Sequence, residues 1–232
     1  MKVLAFGIHP DDVELGCGGT VILAVRQGHD VSIVDCSKGT SSSNGTPEER
    51  AAEAAEAARI MGVRKRFNLD LPDTRIQGES DDQAAVVVGC LRDERPDLVL
   101  IPSGDDPHPD HAAGGRLMDR ALYFSGVHGY RRARPAWRVP HVLVYPGRTD
   151  FEPHIVVDVT SVHDLKIKAI LAHRSQFLSG ERRESTPLNS PDFIGFVEAR
   201  SRAHGRRIGV RFGEPFRAAG PIALADLRVF GE

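Results

Sequence analysis

The sequence predicts an α/β fold: a single Rossmann-like domain, 1–232, built on a mostly parallel sheet with helices on both faces. Three observations carry that expectation. Short apolar runs alternate with helix-length stretches through the first half of the chain, which is the pattern of repeated strand-helix-strand units. One run, Leu98 to Ile101, is apolar throughout, as a strand buried on both faces must be. The 232 residues suit one core-forming unit, and neither an internal repeat nor a linker divides them.

The elements follow in order. Val3 to Ile8 is the first strand, and the turn-forming His9-Pro10-Asp11-Asp12 separates it from a helix expected over about Gly18 to Gly28. Val31 to Cys36 is the second strand. Beyond the polar loop Gly39 to Thr46, Pro47 opens an Ala/Glu/Arg-rich helix that runs to Met61, with Gly62 as its stop. Arg66 to Leu71 reads as the third strand. A helix over about Asp81 to Glu94 leads through Arg95-Pro96 into the apolar strand at Leu98, and the loop Ser103 to His111 follows it. A further helix to about Phe124 and strands at His141 to Tyr145 and Ile155 to Val159 complete the regular part. The last third predicts helices near Val162 to His173 and Phe193 to His204, then a polar tail. It is expected to cover the site or to build an oligomer contact.

Composition narrows the function. Lys+Arg 30 against Asp+Glu 32 gives a formal charge of -2, so there is no basic surplus for nucleic acid or an anionic membrane. Cys17, Cys36 and Cys90 are odd in number and lack a CxxC spacing, which argues against a disulfide framework and a thiolate zinc knuckle and fits a reducing compartment. Met1-Lys2 enters directly into a short apolar stretch, too short for a signal segment or a bilayer span. A cytoplasmic protein acting on a small molecule, and assembled as a homo-oligomer, is the expectation.

Two loops concentrate the chemistry. His9-Pro10-Asp11-Asp12 follows the first strand, and His108-Pro109-Asp110-His111 follows the strand ending at Ile101. In an open sheet whose order reverses beside strand one, these loops lie together at the carboxyl edge, where ligands bind. Two imidazoles and a carboxylate with an open position suit a hydrolytic or redox metal, Zn²⁺ or Fe²⁺. With His9, Asp12 and His111 as ligands, Asp11 is adjacent but directed elsewhere and serves as general base. His108, oriented by Asp110, is then an imidazolium that stabilises an oxyanion and protonates a leaving amine. A single HPDD reads better as a turn with Asp12 capping the next helix. Two such loops on strands predicted to be neighbours do not, because helix caps need no histidine. His29, His128, His141, His154 and His163 read as surface or packing residues, and His173 and His204 as solvated helix positions.

Gly16-Cys17-Gly18-Gly19, with Asp35 ending the second strand, invites a dinucleotide-binding reading. Val21 stands where the third glycine belongs, and the carboxylates of HPDD would meet a pyrophosphate. These glycines read instead as close helix-sheet packing and clearance for substrate.

His9 to Thr20 resembles the HPDD signature of the LmbE/PIG-L deacetylases, and His108 to His111 resembles their HPDH signature. The resemblance implies a Rossmann-like fold, zinc on His9, Asp12 and His111, a base at Asp11, and an acid or electrophile at His108 supported by Asp110. Ser42-Ser43-Asn44-Gly45-Thr46 with Arg50, Leu71-Pro72-Asp73, Ser175-Gln176-Phe177 and Thr186-Pro187-Leu188 are similar to the subgroup that deacetylates N-acetylglucosaminyl-malate in bacillithiol biosynthesis. That similarity implies substrate contacts at Ser43, Asn44 and Arg50, the last with a fork suited to a carboxylate. Relatives with both motifs act on chitooligosaccharides, glycolipid precursors and other glucosaminides. The rival readings are an Fe(II) oxygenase on the same ligand set, a nucleotide-binding oxidoreductase, and a sugar-binding module without turnover.

Overall fold

The structure, a computed structural model, describes residues 1–180 and 183–223. One seven-stranded sheet runs in the order β3-β2-β1-β4-β5-β7-β6. Its strands are β1 (Lys2–Gly7), β2 (Asp30–Asp35), β3 (Lys65–Asn68), β4 (Leu98–Pro102), β5 (His141–Tyr145), β6 (Ile155–Asp158) and β7 (Gly213–Ala218). From β3 to β5 every pairing is parallel, and β7 alone is antiparallel to both its neighbours. This is the mostly parallel α/β architecture that the strand-helix alternation predicts.

The helices are α1 (Asp12–Arg26), α2 (Pro47–Met61), α3 (Asp81–Glu94), α4 (Pro109–Ser125), α5 (His163–Ala172), α6 (Arg174–Phe177) and α7 (Phe193–Arg207). Successive side chains of β1 go to opposite faces. Leu4 and Phe6 join Val87, Leu91, Leu117 and Met118 of α3 and α4. Val3 and Ala5 join Val13, Val21, Met61 and Ala169 of α1, α2 and α5. Two apolar layers thus sandwich the sheet. The expected α2 and α3 bounds match, because both carry explicit punctuation. Thr46 accepts from Glu49 N–H in a capping box, Gly62 adopts the left-handed conformation at φ 73°, and Ser80 caps α3.

Helix α1 begins earlier than its glycines suggest. It starts at Asp12 and kinks at Cys17, whose φ and ψ are -143° and 20°. The kink frees N–H groups as a new helix start does, and those of Gly19 and Thr20 donate to the Glu214 carboxylate at 2.8 and 2.6 Å. Gly16 and Gly19 are close-approach positions. A Cβ on Gly16 would lie 2.2 Å from the Tyr145 ring, and one on Gly19 would lie 2.8 Å from Val159.

Strand β7 is absent from the sequence reading, because Gly213, Glu214 and Pro215 argue against a strand. It forms since Glu214 is buried with its charge met by Lys166 Nζ at 2.6 Å, by Thr20 and by the two α1 amides. The expected polar tail falls, from residue 224 on, outside the described residues. His173 and His204 correct the solvated reading: both are buried. His173 Nε2 lies 3.2 Å from Glu14 Oε1, and His204 Nε2 lies 2.8 Å from Asp150 Oδ2. Glu14 and Asp35 share Arg66 between them, so Asp35 is held in an internal ion network and not presented to a ribose. All three cysteines are buried and unpaired. Among the described residues, no helix is long and apolar enough to cross a membrane.

Candidate active site

Strand β1 pairs with β2 on one side and with β4 on the other. The chain therefore leaves β1 toward one edge and later returns beside it. The loops after β1 and β4 consequently meet at the carboxyl end of the sheet, the crevice that such a reversal opens. His9, Asp12 and His111 each offer an atom within 4.8 Å of the others. His9 Nδ1 faces His111 Nε2 at 3.2 Å, and His111 Nε2 lies 3.4 Å from Asp12 Oδ1. Two imidazole lone pairs cannot face each other at that distance without a proton or a cation between them.

The other atoms of these side chains are anchored. Asp12 Oδ2 accepts from the N–H groups of Ile8 and His9 at 2.9 and 2.8 Å, which fixes the turn and leaves Oδ1 free. His9 Nε2 lies 3.1 Å from Asp73 Oδ1 and 3.5 Å from Asp110 Oδ2. Burial works against the His9 imidazolium, but Asp110, Asp73, Asp12 and Asp11 outweigh it and push its pKa up to about 10. Two facing imidazoles with the carboxylates of Asp12, Asp73 and Asp110 around them make a site suited to positive charge. Its donor set fits Zn²⁺ or Fe²⁺, with each histidine oriented from behind by a carboxylate as metal-binding imidazoles usually are.

Asp11 sits at the start of α1 with φ 130°. That conformation costs an L-residue roughly 1–3 kcal/mol and is characteristic of functional sites. It turns the carboxylate away from helix capping, and no cap hydrogen bond forms. Burial pushes the Asp11 pKa up to about 6 against the pull of Arg50. Arg50 is itself buried. It donates to Pro10 O at 2.9 Å, Gly39 O at 3.0 Å and Asp11 Oδ2 at 3.3 Å. Both terminal nitrogens donate to these oxygens while Nε is buried without a partner, so the fork expected to meet a malate carboxylate or an acetate product is turned onto Asp11 and its loop.

His108 is the N-cap of α4, and its Nδ1 accepts from the Asp110 N–H at 3.2 Å. Its ring stacks on His111 at 4.7 Å. Burial, then His111 and His9, lower its pKa. The accepting Nδ1 and the lowered pKa both favour a neutral ring with its remaining proton on Nε2, where an imidazolium was expected. The Asp110 carboxylate does not orient His108. It accepts from Thr74 and Ile76 N–H at 2.8 and 3.4 Å and faces His9, because a residue in the first turn of α4 projects toward the loop after β3.

Ser43 and Asn44 line the same cavity, of about 530 Å³, that holds the two loops. Ser43 is exposed, whereas the Asn44 amide is occupied by the backbone of Glu184, donating at 2.9 Å and accepting at 2.8 Å. Gln176, Leu188, Phe193 and Arg200 from the last third also line the cavity.

Asp106 is the site residue that reading the sequence for function missed, and Asp73 enters that reading only within Leu71-Pro72-Asp73, without a role. Asp106 accepts from His108 N–H at 2.8 Å and Arg148 N–H at 2.6 Å, and its Oδ2 lies 3.3 Å from His111 Nδ1. A carboxylate two residues before an HPDH motif was the available signal. Asp106→Asn is expected to weaken Zn²⁺ binding about 10- to 100-fold, as loss of an outer partner of a ligating histidine does. Competition with a chromogenic chelator measures it, and unchanged affinity removes Asp106 from that role.

A family profile described as PIG-L: GlcNAc-PI de-N-acetylase matches residues 4–122. Diacetylchitobiose deacetylase of Thermococcus kodakarensis is 34% identical over 188 residues, covering 76% of this chain and 70% of that protein. A Bacillus subtilis protein described as probable N-acetyl-alpha-D-glucosaminyl L-malate deacetylase 2 is 28% identical, covering 75% of this chain and 82% of its own length. Among solved structures, the conserved protein TT1542 from Thermus thermophilus superposes with a TM-score of 0.87 at 36% identity, over 97% of both chains.

Proposed function

Because the chain belongs to the PIG-L family, we propose that it is a metal-dependent N-deacetylase of small N-acetylglucosaminides, with N-acetylglucosaminyl-malate as its first candidate substrate. The observation that carries the reading is the ligand triad His9, Asp12 and His111 with a buried, strained Asp11 beside it in one cavity. A divalent ion on that triad, Zn²⁺ or Fe²⁺, supplies Lewis acidity toward water and toward the acetamido carbonyl. Asp11 accepts the proton of the attacking water, held in place by Arg50. The Nε2–H of neutral His108 donates to the oxygen on which negative charge develops. His108 Nδ1 is already occupied by the Asp110 amide, so the proton taken up on Asp11 is the one available to the departing amine. The products are acetate and a free amino sugar.

Support for the malate conjugate is the similarity to the Bacillus subtilis protein named above, together with a cavity large enough for a group beyond one sugar ring. The 34% identity to a diacetylchitobiose deacetylase supports a second reading, a chitooligosaccharide substrate. The deciding experiment incubates zinc-loaded protein with N-acetylglucosaminyl-malate, diacetylchitobiose and free N-acetylglucosamine and quantifies new primary amine. Faster release from the malate conjugate is expected. Faster release from diacetylchitobiose selects the second reading, and no release from any of the three sinks both.

A further inference from the structure

Four arginine or lysine side chains line the cavity among the described residues: Arg50, Arg148, Lys166 and Arg200. Three are committed. Arg50 holds Asp11 and two carbonyls, and Lys166 Nζ pairs with Glu214 at 2.6 Å. Arg200 donates to Gly147 O at 2.8 Å and Pro146 O at 3.4 Å. The Arg148 guanidinium has no hydrogen-bond or ion-pair partner among the described residues, and it is exposed at the cavity wall.

Its backbone is nonetheless fixed from two sides. Asp106 accepts from the Arg148 N–H at 2.6 Å and packs so closely that a Cβ on Gly147 would lie 2.0 Å from its Oδ2. Arg200 holds the carbonyl of Gly147 from the other side. Asp106 also binds the N–H of His108 and faces His111, so the segment bearing Arg148 is tied to the same carboxylate that positions the metal loop. A solvated arginine on an untethered loop would show none of this. A planar, unpartnered fork on a fixed backbone is suited to bidentate recognition of an oxyanion. The reacting acetamido group belongs at His9, Asp12 and His111, which are half-buried or buried, whereas Arg148 is exposed on the wall of the same cavity. The group it meets is therefore the far end of the substrate.

We propose that Arg148 is a specificity-determining residue that binds a carboxylate on the aglycone, so that the cavity selects anionic over neutral glucosaminides. This rests on the deacetylase reading. It moves the carboxylate contact from the buried Arg50, where sequence similarity put it, to an exposed residue whose guanidinium has no partner among the described residues.

The test separates binding from turnover. Zinc-loaded Asp11→Asn protein, with Arg148 and with Arg148→Gln, is titrated calorimetrically with N-acetylglucosaminyl-malate and with diacetylchitobiose. Loss of one charge-assisted contact is expected to weaken the malate conjugate about 10- to 100-fold. The neutral ligand is expected to change less than about twofold, and Arg148→Lys to restore part of the loss. Added salt should narrow the difference between the two ligands for Arg148 and not for Arg148→Gln. Equal weakening of both ligands overturns the proposal, since Arg148 would then act through His108. Unchanged affinity for the malate conjugate overturns it as well. Amine release by the unmodified protein is scored separately: its absence removes the deacetylase reading, while the affinity ratio still decides Arg148.

Discussion

Asp11→Asn is expected to lower kcat/KM by about 10²–10⁴, the range a positioned general base contributes, while the bound metal stays at the level of the unmodified protein. Asn keeps the size and shape of the side chain, so the backbone at φ 130° meets the same steric demand as with Asp11. Folding should therefore survive the change, and the lost carboxylate is what the assay reads. The ligand atoms of His9, Asp12 and His111 are supplied by other side chains, so metal content should not fall. The pH profile offers a second readout. Burial holds the Asp11 pKa at about 6, Arg50 being the largest opposing influence. The base form exists above that value, so activity is lost as pH falls through it. A bound cation favours the carboxylate and moves the acid limb to or below about pH 6. Arg50→Met should move that limb upward. Full activity in Asp11→Asn, or loss of its metal, would remove Asp11 from the role of base.

The second large effect belongs to His111→Ala. His111 is the proposed ligand from the second loop, and its Nε2 lies 3.2 Å from His9 Nδ1 and 3.4 Å from Asp12 Oδ1. Its removal leaves two ligands on the first loop and deprives Asp12 and Asp106 of their shared partner. Elemental analysis after dialysis should find the variant depleted of metal and inactive. Thermal unfolding gives an independent check. Metal at about a thousand times its Kd adds about 4 kcal/mol to the stability of a protein that binds it only when folded, and this gain should vanish in His111→Ala. A metal-dependent gain equal to that of the unmodified protein would exclude the triad.

The order of strands and helices through α4, the single α/β layer system and the two loops that carry the proposed ligands are legible in the sequence. Each of these features is written in neighbouring residues. Apolar periodicity marks β1, β2 and β4, and Thr46-Pro47, Gly62 and Ser80 mark helix ends. The spacing within His9-Pro10-Asp11-Asp12 and His108-Pro109-Asp110-His111 is itself local. The tertiary structure alone decided which partners each side chain takes, because those partners come from distant segments with no common period. It committed Arg50 to Asp11 and Asp110 to His9, and it brought Asp73 and Asp106 behind the histidines. It drew His173 and His204 into the interior beside Glu14 and Asp150. It also made a strand of Gly213–Ala218, since burying Glu214 is tolerable only where Lys166 and the amides freed by the kink in α1 meet its charge. A buried carboxylate is costly until its partners are in place, and only the folded chain assembles them.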